Sequence, residues 1–311
     1  MIESNSGDNL TKETDHLSDN PMEFYSELSK LNDHKIYLLG SSQIGRFNET
    51  YIQNYLKDNN QDFQVFNLAI SADNPEQRLR SINSILQSRP SIIVYGIGFR
   101  DFTDLNLISQ IDKPDTVLPE PEKISNTIYS TIVEYINYDL EKFKSPKSST
   151  VQFLKLFLSQ EKGKTGLLNR PNAPFYQTDK SNMLILNDYE LKRSMGSFPY
   201  KLDKIEPVND NKNVESFKDI IDTILKQKIM LIIITIPYSQ YYLDTIPEND
   251  KQEFDNIIKD ITLNFDVPIA LFHYKYANFT IWNSNDHIAL GGSEISPNEE
   301  TSKIILDIIE N

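Results

Sequence analysis

Cysteine is absent from the 311 residues, which excludes a disulfide scaffold, a thiolate zinc site and a cysteine nucleophile together. Basic residues are few. Against 45 Asp and Glu stand 31 Lys and Arg, and the formal charge of -14 opposes binding to phosphate backbones and to anionic membrane surfaces. No nucleic-acid partner is expected. Long apolar runs are missing too: the longest, 229–236, broken only by Thr235, falls far short of the roughly 20 residues needed to cross a bilayer, so no membrane-spanning segment is expected in the chain as written. The opening stretch MIESNSGDNLTKETDHLSDNP is polar and acidic, with neither the basic start nor the apolar stretch of a signal peptide. Residues 1–34 therefore read as a polar, loosely attached lead-in. As written the chain reads as cytoplasmic, and as extracytoplasmic if a signal or anchor precedes it. Histidines number four, and His16, His34, His273 and His287 share no metal-ligand spacing, so neither a metal nor another cofactor is expected.

Glycine is also scarce, ten in the whole chain, less than half the roughly 7% typical of proteins. Six of the ten lie in three short windows, 40–45, 96–98 and 291–292.

What the chain does have is a 39% hydrophobic content, enough for one large core or two modest ones. From Lys35 onward, short β-branched runs alternate with segments of helical period, the pattern of a parallel sheet covered by helices on both faces. Strands are expected at 35–40, 63–70, 91–98, 229–236 and 267–273. Asn48 reads as the cap of a helix carrying Ile52, Tyr55 and Leu56 on one face. Asn74 and Pro75 start a second, with Leu79, Ile82 and Leu86. Val214, Phe217, Ile221 and Ile224 mark a helix before the fourth strand, and Phe254, Ile257 or Ile258, and Ile261 one after it. Ser296, Pro297 and Glu299 form a capping box for the last helix. About 130 residues separate the third and fourth strands, far more than one crossover needs, so an insertion is expected at about 103–183. It holds the loop KPDTVLPEPEK and two amphipathic helices, at 124–143 and 149–160. The second carries Val151, Leu154, Phe157 and Leu158 on one side with lysines nearby, the pattern of a lid packed on the domain or of a membrane-surface contact.

In open parallel sheets the site lies outside the carboxyl ends of the strands, and three windows fall there. In LLGSSQIGRF (38–47) the chain runs from a strand through Gly40 into Ser41 and Ser42. A serine there is either an exposed nucleophile beside backbone N–H donors or a helix cap. In VYGIGFRDF (94–102), Gly96 and Gly98 allow close backbone approach, and Arg100 offers donors to an oxyanion or pairs with Asp101. It is not a dinucleotide fingerprint, because the third glycine is missing. In IWNSNDHIALGGSEI (281–295), Asp286 and His287 lie in a polar loop ahead of the last helix, where a histidine serves as a base or is ordinary surface.

A serine after the first strand, glycines with a polar residue after the third and a histidine before the last helix together resemble the SGNH (GDSL-like) hydrolase superfamily. The resemblance covers 36–102 and 228–311. It implies a flavodoxin-like three-layer α/β fold with a mostly parallel five-stranded sheet and the insertion after its third strand. Ser42 stands at the place of the family's nucleophile and His287 at that of its base. Ser71 stands where the family has an oxyanion-hole glycine, Arg100 where it has an asparagine, and Ser284 where it has the aspartate three residues before the histidine. Asp286 is then the candidate acid, and Ser42, Ser71 and Arg100 the candidate oxyanion hole. Arg46, Asp101 and Tyr238 are candidate substrate contacts, with Tyr238, Tyr241 and Tyr242 available either to stack on sugar rings or to pack beneath the insertion.

The resemblance is nearest to the branch that acts on cell-surface and cell-wall polysaccharides. The function it implies is a serine-dependent acyl-ester hydrolase or acyltransferase, with a small acyl ester or O-acylated carbohydrate as substrate. Two alternatives come from other classes: an inactive module of the same fold that binds a glycan or an anion, and a structural component of a surface-polymer assembly.

Overall fold

The first strand of the sheet, β1 (Lys35–Leu39), is buried along its whole length, as is β3 (Ile92–Ile97). Both read as continuous apolar runs because helices cover both faces of the sheet, and a two-residue alternation would put polar groups against them. In the computed structural model, which describes residues 21–31, 34–103, 175–178, 180–196, 204–290 and 297–310, five strands form one parallel sheet in the order β2-β1-β3-β4-β5. The remaining strands are β2 (Gln64–Asn67), β4 (Met230–Thr235) and β5 (Ile269–Ala270). This is the flavodoxin-like order.

The described helices that frame the sheet are α1 (Pro21–Leu28), α2 (Glu49–Asp58), α3 (Pro75–Gln87), α4 (Asp188–Gly196), α5 (Lys212–Lys226), α6 (Gln240–Leu243), α7 (Glu248–Asn264) and α8 (Pro297–Glu310). The strand order reverses direction between the β1-to-β2 and β2-to-β3 connections, so right-handed crossovers place α2 and α3 on opposite faces. α8 packs beside α2, and α5 beside α3. The caps read from the sequence hold: Asn48 accepts from the Tyr51 N–H and Asn74 from the Gln77 N–H, each at 2.9 Å, with Pro75 at the first helical position. Ser296 and its capping box lie outside the described residues, as do Gly291, Gly292 and the helices expected at 124–143 and 149–160. Among the described residues no helix is long and apolar enough to cross a membrane.

Two expectations change. The second part of the lead-in is not loosely attached: α1 buries Phe24, Tyr25 and Leu28, and Phe175 closes on Phe24 with ring centroids 5.1 Å apart. Two turns with three buried apolar residues are too short to stand out in a polar stretch, and they fold only because the sheet supplies the surface. The fifth strand also shrinks from seven residues to two. Among the described residues it is the sheet edge, paired with β4 alone, and Leu271 just beyond it is 54% exposed.

The chain leaves the sheet after β3 at Thr103, which forms an antiparallel bridge with Ile205. Asn211 tightens this stem by donating to the Phe102 carbonyl at 2.7 Å. Residues 180–196 lie on the hairpin β6 (Trp282–Ser284) and β7 (His287–Ile288): the Leu186 N–H donates to the Trp282 carbonyl at 2.7 Å, and Asn283 Nδ2 to the Ser181 and Leu184 carbonyls.

Candidate active site

The sheet order reverses at β1 and β3, and their carboxyl ends carry the first two sequence windows. Gly40 ends β1 at φ +132°, and a Cβ there would lie 2.5 Å from the Gly96 carbonyl oxygen, so the position requires glycine both for its backbone and for the approach of β3. The Gly40 carbonyl accepts from the Ile70 N–H at 3.0 Å, which ties the end of β1 to the segment after β2. Arg78, 1% exposed, reinforces this tie. Its Nη2 donates to the Gly40 and Leu68 carbonyls at 3.3 and 3.4 Å, and its Nε to Asp73 Oδ2 at 2.6 Å. Asn67 at the end of β2 holds the turn beyond Ser42, its Nδ2 donating to the Ile44 and Phe47 carbonyls.

This scaffold presents Ser42 half-buried, with Oγ 3.0 Å from His287 Nε2. On the other side of the imidazole, His287 Nδ1 lies 2.8 Å from Asp286 Oδ1 and 3.2 Å from Ser284 Oγ. Ser284 Oγ donates to the same carboxylate oxygen at 2.9 Å. An Nδ1 facing a carboxylate carries the proton, which leaves the Nε2 lone pair to accept from the Ser42 hydroxyl. Burial pushes the Asp286 carboxyl up, but His287, Arg100 and Ser284 outweigh it, and it is held well below the usual carboxylate range. Asp286 therefore remains ionised while only 3% exposed.

Neighbouring residues on an extended strand point to opposite faces. Asp286 and His287 meet because Asn285 and Asp286 form the turn of the β6–β7 hairpin, where Ser284 pairs with His287. Asn285, fully buried, anchors that turn. Its Nδ2 donates to the Leu191 carbonyl at 3.1 Å and to Ser194 Oγ, and its carbonyl accepts from the Ser239 N–H. Gln43 joins the turn to the nucleophile loop, donating from Nε2 to the Asp286 carbonyl at 3.3 Å.

The other expected site residues divide. Among the described residues, the backbone N–H groups of Ser42 and Ser71 donate to no protein acceptor, and Ser71 is exposed. Arg100 lies on the acid: its Nη1 is 3.4 Å from Asp286 Oδ2. Three expected substrate contacts are taken up by packing. Tyr238 is fully buried, stacked on Tyr242 with centroids 4.9 Å apart, and its hydroxyl accepts from the Phe99 N–H and donates to Gln43 Oε1, so no face is open to a sugar. A Cβ at Gly98 would collide with that hydroxyl. Asp101 turns back on its own 3-10 turn (Phe99–Phe102), where Oδ2 accepts from the Gly98 N–H at 2.6 Å. Arg46 is 8% exposed, with its guanidinium 5.5 Å from the centre of the Tyr176 ring. Gln43, Asn67, Arg78 and Asn285 were not singled out from the sequence. Gln43 and Asn285 lie inside the first and third windows, which was the available signal for them, whereas Asn67 ends β2 and Arg78 lies in α3, outside all three.

Burial pushes the Asp101 carboxyl up to about 7, against the opposing effect of the Gly98 N–H. A carboxyl raised on folding contributes stability that is fully present below its unfolded value, near 4, and is lost as the pH rises through 7. Asp101→Asn keeps an acceptor for Gly98 and removes the charge. The variant is expected to gain up to roughly 4 kcal/mol over the parent at pH 8, and most of that gain is expected to vanish by pH 4. Urea unfolding at the two pH values checks this, and a gain independent of pH contradicts it.

The sheet order, the covering helices and the Ser-His-Asp chain across two loop clusters define a three-layer α/β protein with a polar relay at the switch point of its sheet. No protein-family model matches the chain, and no curated protein matches it. Among solved structures it is similar to a GDSL-like lipase from Bacteroides thetaiotaomicron, at 9% identity and a TM-score of 0.41, over 94% of this chain and 98% of that one. It is also similar to the structure of TesA, at 9% identity and a TM-score of 0.41, over 88% of this chain and 95% of that one. At such identity and overlap, neither likeness speaks to the chemistry of this chain.

Proposed function

We infer that the chain is a serine-dependent acyl-ester hydrolase or acyltransferase, with an O-acylated carbohydrate as the candidate substrate. The observation that carries this reading is the unbroken relay from Ser42 Oγ through His287 to Asp286, at 3.0 and 2.8 Å. Such a relay is the arrangement that activates a hydroxyl, with a base in contact with it and a third group orienting the base.

In this reading Ser42 Oγ attacks the ester carbonyl carbon as His287 Nε2 takes its proton. Asp286 stabilises the imidazolium that forms. The tetrahedral oxyanion is received by the Ser42 and Ser71 N–H groups. His287 then returns the proton to the departing alcohol oxygen as the carbon–oxygen bond breaks, leaving Ser42 acylated. Water, or an acceptor hydroxyl in a transferase, gives its proton to His287 and attacks the acyl carbon, and His287 then returns that proton to Ser42 Oγ as its bond to the acyl carbon breaks.

A second reading, a binding module without turnover, is favoured by one observation: the Arg100 guanidinium, the candidate side-chain donor for the oxyanion, engages Asp286 instead. A fluorophosphonate probe separates the two. The hydrolase reading expects stoichiometric labelling, mapped to Ser42 by peptide mass, together with turnover of a short-chain aryl ester. A folded protein that neither labels nor turns over the ester is the binding module.

A further inference from the structure

The Asp286 carboxylate divides its two oxygens between different parts of the fold. Oδ1 takes two donors from its own hairpin, His287 Nδ1 at 2.8 Å and Ser284 Oγ at 2.9 Å. Oδ2 takes Arg100 Nη1 at 3.4 Å, from the 3-10 turn that follows β3. Among the described residues, Arg100 is the one donor that reaches this carboxylate from outside the hairpin. Within the hairpin both donors, His287 and Ser284, hold the same oxygen, Oδ1, and a rotation about Cβ–Cγ would carry it away from them.

We propose that Arg100 is a positioning residue of the relay, fixing Oδ2 so that Oδ1 faces His287 and keeping a positive charge against the Asp286–His287 pair. The inference rests on the triad reading above. Oδ2 is buried with the rest of the side chain, and an ionised oxygen at 3% exposure requires a partner. Arg100 supplies it from a side chain that is itself 27% exposed. Among the described residues it is also the cation that faces the pair. The other groups around it are Ser284 on the hairpin, Asp101 beside Arg100, Gln43 on the nucleophile loop, and Tyr238 and Tyr242, whose phenols burial keeps protonated.

Two consequences follow that a purely structural arginine does not share. Arg100 acts only through Asp286, so its effect disappears once Asp286 is neutral. Its charge also opposes a second positive charge on the pair, so without it the pair takes a proton more readily, whichever of the two groups holds it.

The test is a double-mutant cycle on kcat/KM for the aryl ester, measured across pH with Arg100→Gln, Asp286→Asn and the double variant. Arg100→Gln is expected to lower kcat/KM by about 10- to 100-fold, the usual effect of removing an outer partner of a reacting group. Its acid limb is expected to move to higher pH, and the double variant to be no slower than Asp286→Asn alone. Losses that multiply, an acid limb that stays in place, or an Arg100→Gln enzyme at full activity each overturn the proposal. If Arg100→Gln shows no cooperative unfolding transition, Arg100→Lys carries the cycle. It keeps the charge and loses the forked geometry, so a smaller loss with an unmoved acid limb is expected, and a loss that multiplies with Asp286→Asn overturns the proposal. Failure of the triad reading is seen separately, as a protein that does not label at Ser42 or keeps its turnover in Ser42→Ala.

Discussion

Ser42→Ala is expected to lower kcat for aryl-ester hydrolysis by about a millionfold while leaving the unfolding midpoint within experimental scatter of the parent. The kinetic figure follows from the dependence of every step on Oγ: without it no acyl-enzyme forms, and His287 has no proton to move. What survives is the contribution of the backbone N–H groups of Ser42 and Ser71, which alanine at 42 leaves in place. The stability figure follows from the surroundings. Ser42 is half-buried and, among the described residues, its hydroxyl has one partner, His287, which keeps its own bonds to Asp286 and Ser284 after the substitution. His287→Ala is expected to cost about as much, and the double variant little more than either, because groups that act as a unit lose their function once. Stopped assays on purified variants check the rate, and urea unfolding checks the stability. A Ser42→Ala enzyme with unchanged turnover sinks the assignment, whatever the geometry of the relay.

The parts of this site that were legible in the sequence are those set by the order of elements. A strand leading through Gly40 into Ser42, a glycine pair closing β3 and a histidine ahead of the last helix all follow from topology, because every parallel strand delivers its carboxyl end to the same edge. The direction of each side chain was not legible. Arg100 could be placed at the strand end but not assigned between an oxyanion and a carboxylate, since that depends on a hairpin 186 residues later in the chain. Strand periodicity points Asp286 and His287 to opposite faces, and the two-residue turn between β6 and β7 brings them together. Tyr238 read as an aromatic face at a strand end, yet Gly98 leaves room for its hydroxyl, and the phenol is drawn into the core. The same limit explains the fold: β1, β3 and β4 stand out because they are buried on both sides, whereas α1 and β5 owe their extent to neighbours the sequence does not show.

Arg78 lies beneath the site and carries the largest expected effect on stability. Arg78→Ala is expected to cost about 3–5 kcal/mol, because it leaves the Asp73 carboxylate buried without its cation. The pair is closed to solvent, with both side chains at most 4% exposed and Nη2 2.5 Å from Oδ2. Replacing both partners by apolar residues of similar size, Asp73→Leu with Arg78→Met, removes the stranded charge and is expected to return most of the loss, since a buried ion pair is often no more stable than well-packed carbon. Activity is expected to behave differently. Of the pair, the guanidinium alone donates to the Gly40 and Leu68 carbonyls, which precede Ser42 and Ser71 in the chain, and a methionine cannot donate to either. The double variant should therefore recover its urea midpoint at an unchanged m-value and still show a depressed kcat. If kcat recovers with the midpoint, Arg78 is a stabilising residue alone, and the spacing of the two loops is set by the Ile70 to Gly40 hydrogen bond without it.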